Sequence, residues 1–390
     1  MPSTDLTIVL PLKGRPLFTL RYLWYANRCA LPYKILIADG EVREPLATMI
    51  EGGGLFPNLD IEYVRYGDDT SYSMFYRKMA DILRRVRTPY VMMTDNDDFV
   101  VLSGITRCVD FLQSNPDYVS CGAGVAGFSV SPAPDDPFGQ LLGPVDRISY
   151  RYSGNYRSRD LDGKIVSERV IDGYRNYVTT YYNVFRTPAL ATIQQECADI
   201  DFSDLELHES YFAMRALVLG KIRSDASCIS YFRQYGTSMG SAFRVDWVHH
   251  LLRSRFTGDF NTMVDRISAL ACADDGSDPE PVAEEIRNVF GDGLRISLSR
   301  RYAPASKGME LRTRLRSVLP QGLLDVLRRA RQPVGRARKE LFDSLKQDGA
   351  SEAYLATFRR ELAEIEDVLM GAEFASFLRP LAPAIAEAAE

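Results

Sequence analysis

Residues 91–99 read VMMTDNDDF, a short apolar run that leads directly into Asp95, Asp97 and Asp98. A strand that ends in clustered carboxylates is poor packing and good chemistry. Like charges a few ångströms apart raise one another's pKa unless something positive lies between them. A hard divalent cation is the natural occupant, because it takes oxygen ligands and often pairs one or two carboxylates with substrate phosphates. The carboxyl ends of strands are also where open α/β sheets bind ligands. The competing reading is an acidic turn that caps a helix starting near Ser103. A calcium hand is a poor fit, since Val100 and Thr106 occupy the positions that need Gly and Glu.

Outward from this stretch the pattern alternates. Apolar runs at 7–12, 34–38, 60–66 and 90–94 predict strands. Between them, 16–30, 43–51 and 73–86 predict helices, the first with Pro16 suited to a first-turn position. That alternation points to a parallel sheet in a doubly wound domain. A helix over 103–113 and a strand over 118–123 follow. Residues 127–177 break the rhythm: SPAPDDP precedes a stretch dense in Tyr and Arg, which predicts an irregular or hairpin-rich insertion. Strand character returns at 178–185 and 229–233, with helices at 188–198 and 209–219. From 246 onward the chain reads as helical. Gly122, Gly124 and Gly127 spell a dinucleotide-type G-x-G-x-x-G, but the following FSVSPAP cannot open the helix such a site needs.

The 390 residues are 46% hydrophobic and 25% charged, enough for two or three domains. A net charge of −5 argues against a general nucleic-acid binder. Six scattered cysteines form no Cys-x-x-Cys, so reduced thiols in a cytoplasmic protein are expected. No signal peptide or membrane span is evident.

The order VLPLKGRP, ILIADGE, DIEYVRYG, YRKMADILRR and MMTDNDDF resembles the nucleotide-binding half of GT-A glycosyltransferases, especially family 2. The resemblance covers roughly 5–235, with the insertion unmatched. It implies an α/β fold of GT-A type: a Rossmann-like nucleotide-binding sheet with an acceptor-side extension, followed by a mostly helical C-terminal region. The expected domains are 1–245, with a nucleotide-binding half at 1–125 and an acceptor-side half at 126–245, and then 246–390. By this resemblance Pro11, Lys13 and Arg15 line the nucleotide and Asp39 contacts base or ribose. Arg65 and Arg77 or Lys78 lie near the base or pyrophosphate. Asp95 meets the ribose or nucleotide, while Asp97 and Asp98 hold Mn²⁺ or Mg²⁺. Plain alternatives stand beside these: Asp39 as a turn residue before Gly40, and Arg77 and Lys78 as an exposed helix face.

The second chemical element is DLELHESYFAMRALVLGKI, residues 204–222. In the family an acidic pair opens a helix, with an Arg six or seven residues on and a Gly at its end. Aligning Arg215 and Gly220 makes Glu209 the candidate general base, with Glu206 as alternate. His208 departs from the acidic residue usual there and is a candidate metal or acceptor contact, as is His249. Arg233 and Tyr235 fall on the acceptor side, and the Tyr/Arg-rich insertion is a candidate acceptor floor.

The implied activity is a metal-dependent, inverting transfer of a sugar from a nucleotide-diphosphate donor to a saccharide or lipid-linked acceptor. A sugar-phosphate nucleotidyltransferase and a non-catalytic glycan-binding scaffold are the alternatives. Residues 300–346 are locally basic and amphipathic, a candidate peripheral membrane contact. Oligomeric state is not legible.

Overall fold

The computed structural model describes residues 5–41, 46–51, 54–67, 69–132, 145–152, 159–177, 180–235, 250–302, 334–381 and 383. The apolar runs form β1 (Leu6–Leu12), β2 (Lys34–Asp39), β3 (Ile61–Arg65) and β4 (Tyr90–Met93), paired in parallel in the order β3-β2-β1-β4. Between them run α1 (Pro16–Arg28), α2 (Leu46–Glu51) and α3 (Tyr72–Leu83). Successive strand residues serve opposite faces. Ile8, Leu10, Ile35, Ile37 and Met92 pack with one core, and Val9, Leu36, Ala38, Val91 and Met93 with the other. Burial on both faces is why these strands read as unbroken apolar runs.

Beyond β4 the sheet turns mixed. The short β5 (Phe99–Val100) leads into α4 (Leu102–Ser114), then β6 (Tyr118–Pro132) and β7 (Val145–Tyr152). α5 (Val166–Arg175), β8 (Val184–Arg186), α6 (Thr187–Ile200), α7 (Leu205–Leu219) and β9 (Lys221–Gln234) follow. β8 is antiparallel to both β4 and β6, β6 runs parallel to β9, and β5 pairs antiparallel with β9. This mixed extension of a parallel half is the GT-A type of architecture that the sequence implied.

Several expectations need correction. The Tyr/Arg-rich stretch contains a regular helix, α5, whose N-cap Ile165 supplies no side-chain bond. The strand expected over 178–185 is only Val184–Arg186. β6 and β9 extend well past 118–123 and 229–233. α7 starts at Leu205 under an Asp204 cap, so Glu209 lies in its second turn. The three glycines of the rejected dinucleotide motif sit inside β6. A Cβ on Gly122 would meet the Asn183 side chain at 2.1 Å, and one on Gly127 the Tyr235 ring at 2.2 Å.

The C-terminal helices divide between the faces of the sheet. α8 (Phe256–Ala271) and the start of α9 (Glu280–Tyr302) join the core of α3, α6 and α7. α10 (Val334–Gln347), α11 (Glu352–Met370) and α12 (Ala372–Leu378) join that of α1 and α4. Among the described residues no helix is long and apolar enough to cross a membrane. Most of the basic stretch lies at 303–333, outside the described residues. All six cysteines are free thiols, five buried and Cys29 half-buried. Cys108 of α4 contacts Cys121 of β6 and Cys228 of β9, and these contacts with burial raise its pKa well above the usual range.

Candidate active site

The carboxyl edge of β4 delivers the acidic cluster. Asp95, Asp97 and Asp98 each offer an oxygen, and these atoms lie within 4.8 Å of one another. Asp97 and Asp98 are buried, while Asp95 keeps some exposure. Asp98 Oδ1 accepts the Gln234 N–H at 2.8 Å, and Asp95 accepts the Tyr182 hydroxyl. Burial, then the charges of its neighbours, holds the Asp98 carboxyl well above the usual range and raises that of Asp95. No helix is capped by this turn: the N-cap of α4 is Val101, with no side-chain bond of its own.

Three arginines surround the cluster. Arg15 places Nη2 2.8 Å from Asp97 Oδ2 and lays its guanidinium 4.7 Å from the Phe18 ring centroid. Its backbone is left-handed at φ 60°, directly after Gly14 at φ 65°. That conformation is uncommon for a residue bearing a Cβ, and it turns the Lys13–Pro16 loop back over β4. Arg21 is fully buried on α1 between Phe18 and Phe99 and donates to the Asp97 carbonyl at 2.8 Å. Burial lowers its pKa to about 9, against the pull of Asp97 and Asp98. Arg233 approaches from β9, where Tyr182, Asp98, Tyr231 and Asp95 oppose desolvation and raise its pKa.

The donor set is all hard oxygen, three carboxylates whose oxygens lie within 4.8 Å of one another. Those properties fit Mn²⁺ or Mg²⁺. The residues that would hold it are Asp95, Asp97 and Asp98; Asp95, which the resemblance sends to the ribose, belongs to the same cluster.

α7 brings up the second group. Asp204 caps it through the Glu206 N–H at 3.0 Å and is clamped from behind by His250 at 2.8 Å and Arg253 at 2.6 Å. Glu206 and Glu209 lie three residues apart on one helix face. Glu209 meets solvent on one side and is crowded by protein on the other. That desolvation, followed by Glu206 and, less, Asp95, raises its carboxyl to about 7 against the pull of Arg233. Glu209 therefore senses both the acidic cluster and Arg233.

The other predicted residues divide. Pro11 is the penultimate residue of β1, beside Ala38, and Lys13 bonds the Asp69 carbonyl. Asp39 is buried and accepts from Tyr63 Oη at 2.8 Å and from the Glu41 N–H at 3.0 Å, the second being the Asx contact of a turn residue. Lys78 is buried, donating to the Leu12 carbonyl at 3.0 Å and pairing with Asp69, whereas the preceding Arg77 is exposed. Arg65 is exposed and pairs with Glu51 at 3.1 Å. Tyr235 directly follows β9, its N–H on the Phe128 carbonyl at 2.7 Å.

The structure does not bring His208 to the carboxylates. It is fully buried, bonded to the Phe202 carbonyl at 3.0 Å and stacked on Tyr76 at 4.1 Å, and burial lowers its pKa to about 4. His249 lies outside the described residues. In the described part of the insertion Tyr150 bonds Glu366, Arg159 pairs with Asp172, Arg169 bonds the Leu217 carbonyl and Arg175 pairs with Glu285. Sequence reading missed Arg21, although a charge inside the apolar LFTLRYLWY run was its signal. It also missed Tyr182, which precedes the strand antiparallel to β4 and so falls at that strand's carboxyl end.

No protein-family profile matches the chain, and no curated protein matches it. Solved structures do. One is the 1–349 fragment of S. aureus TarS, at 10% identity and a TM-score of 0.45, covering 78% of this chain and 93% of that one. The same fragment in complex with UDP-GlcNAc matches at 11% identity and 0.43, covering 78% and 95%. The mannosyltransferase PcManGT from Pyrobaculum calidifontis, in complex with GDP-Man and Mn²⁺, matches at 11% identity and 0.41, covering 88% and 85%.

Proposed function

We propose that the protein is a metal-dependent glycosyltransferase that moves a sugar from a nucleotide-diphosphate donor to a saccharide or lipid-linked saccharide hydroxyl with inversion. What supports this reading is the three-carboxylate cluster beyond β4, together with Glu209 on α7, a carboxyl pushed up to about 7 by desolvation and Glu206 that feels the charges of Arg233 and Asp95. A general base works best with a pKa near the working pH.

The chain's own groups divide the work. Pro11, Lys13, Asp39 and Lys78 lie along the carboxyl ends of β1 and β2 and form the nucleotide side. Arg15 and Arg233 supply positive charge where a diphosphate departs. A divalent cation at Asp95, Asp97 and Asp98 would offset the charge that develops on that leaving group. Glu209 accepts the proton of the acceptor hydroxyl. The acceptor oxygen then bonds to the anomeric carbon as the C–O bond to the diphosphate breaks, its electron pair leaving with the nucleoside diphosphate. Attack on the face opposite the leaving group gives inversion.

The test is product analysis with UDP- and GDP-sugars in Mn²⁺, with and without saccharide acceptors. Release of nucleoside diphosphate supports the reading. Release of pyrophosphate from a nucleoside triphosphate and a sugar phosphate replaces it with nucleotidyl transfer. Turnover of neither, with no nucleotide bound, leaves the scaffold alternative.

A further inference from the structure

One helix of the C-terminal region grips the elements that carry the acidic cluster, from behind. Glu361 of α11 accepts the Ser103 N–H at 2.8 Å and the Ser103 hydroxyl as well. Ser103 lies in the first turn of α4, whose own N-cap is Val101. The first turn of a helix leaves N–H groups without intrahelical partners, and a carboxylate there also suits the helix dipole. The cap of α4 thus comes from 258 residues further along the chain.

The same helix holds β9. The Tyr354 hydroxyl accepts the Ile229 N–H at 2.8 Å and reaches the Ile229 carbonyl at 3.4 Å. Between these two grips, α4 and β9 are locked to each other. Val101 N–H donates to the Ser230 carbonyl at 2.8 Å. Gly104 sits so near Ile229 that a Cβ would lie 1.8 Å from its carbonyl oxygen. From this junction β5 runs back to Asp98 and β9 runs forward to Arg233 and Gln234, paired Val100 with Tyr231 and Phe99 with Phe232. The pairing ends where the Gln234 N–H meets Asp98 Oδ1.

We infer that α11 is the positioning element of the carboxylate cluster, with Glu361 and Tyr354 holding α4 and β9 in the register that sets Asp98 against Gln234 and Arg233. Neither residue touches a reacting group. Each fixes a backbone that does, and displacement of a site residue by about 1 Å is enough to impair such a site. The functional consequence rests on the glycosyltransferase reading; the geometric claim does not.

The experiment uses the full chain and four variants: Glu361→Ala, Glu361→Gln, Tyr354→Phe and Arg28→Gln. Arg28 pairs with Asp367 at 2.7 Å and Glu364 at 3.1 Å on α11, away from the junction, so its loss is a control for simple destabilisation. Two quantities are read: residue-resolved amide hydrogen exchange at Gln234, and Mn²⁺ affinity by titration. Glu361→Ala and Tyr354→Phe should each speed exchange at Gln234 by about tenfold relative to wild type, through local opening, and weaken Mn²⁺ binding. Glu361→Gln keeps an acceptor for the Ser103 N–H and should restore most of both. Arg28→Gln should lower the melting temperature and leave both unchanged. Wild-type exchange at Gln234 in Glu361→Ala and Tyr354→Phe would overturn the inference, as would an equal rise in Arg28→Gln. Should wild type take up no Mn²⁺, the cation reading falls, while the exchange data still decide the role of α11.

Discussion

Glu209 carries the sharpest test at the scale of a single side chain. A base must be ionised to accept a proton, and its carboxyl is raised to about 7. kcat/KM should therefore climb about tenfold per pH unit below 7 and level off above it. Glu209→Gln should abolish transfer and leave nucleotide affinity intact, as measured by titration with UDP or GDP in Mn²⁺. Stability has the opposite sense. The folded chain holds this proton more tightly than the unfolded one, so the contribution is complete below the usual carboxylate range and is lost as pH rises through about 7. Glu209→Gln should thus melt higher than wild type at pH 8 and at the same temperature at pH 4. In the acidic cluster, Asp97→Ala should remove any Mn²⁺ dependence of donor binding. Arg15 and a cation draw on the same Asp97 oxygen, 2.8 Å from Nη2. Arg15→Ala should therefore tighten Mn²⁺ in the absence of nucleotide, by about tenfold if the charge-assisted bond has its usual strength, and weaken nucleotide binding. A loss of both affinities would show that Arg15 holds the loop rather than competes for the carboxylate.

Among elements, the contact of α4 with β9 is the least tolerant. A methyl at position 104 would meet backbone, which cannot swing aside, so Gly104→Ala should cost about 3 kcal/mol in chemical denaturation. The parallel half was legible because its strands are apolar throughout and its helices lie between them at regular spacing. β6 was legible only over 118–123, because Gly124 and Gly127 depress strand propensity beyond it; with Gly122 they admit Asn183, the β9 backbone and Tyr235. α5 was hidden by Arg169 and Arg175, whose partners, the Leu217 carbonyl and Glu285, lie on other helices. The start of α7 is marked by Asp204 and Glu206, a cap and a first-turn acid, one turn ahead of the helix expected over 209–219. Of the candidate site, Asp95, Asp97 and Asp98 were legible as charges in the wrong place for packing, whereas Glu209 followed from the family resemblance alone. Tyr182 and Gln234 were not, since strand order alone brings them to Asp95 and Asp98.

At the scale of the molecule, the two halves of the C-terminal region cover opposite faces of the sheet. A chain ending at residue 302 would uncover the apolar surface met by Leu341, Leu345, Phe358 and Leu362. Large exposed apolar patches favour association, so such a chain should appear in the insoluble fraction or bind a hydrophobic dye strongly. The thiols offer a way to time such openings without introducing any label. Cys108, Cys121 and Cys228 meet where α4, β6 and β9 converge, and Cys29 alone is half-buried. A thiol-reactive chromophore added to the native protein should modify one sulfur early and the rest at the pace of structural breathing. The protein thus carries its own stopwatch, three hands of which are mounted on the joint that α11 braces.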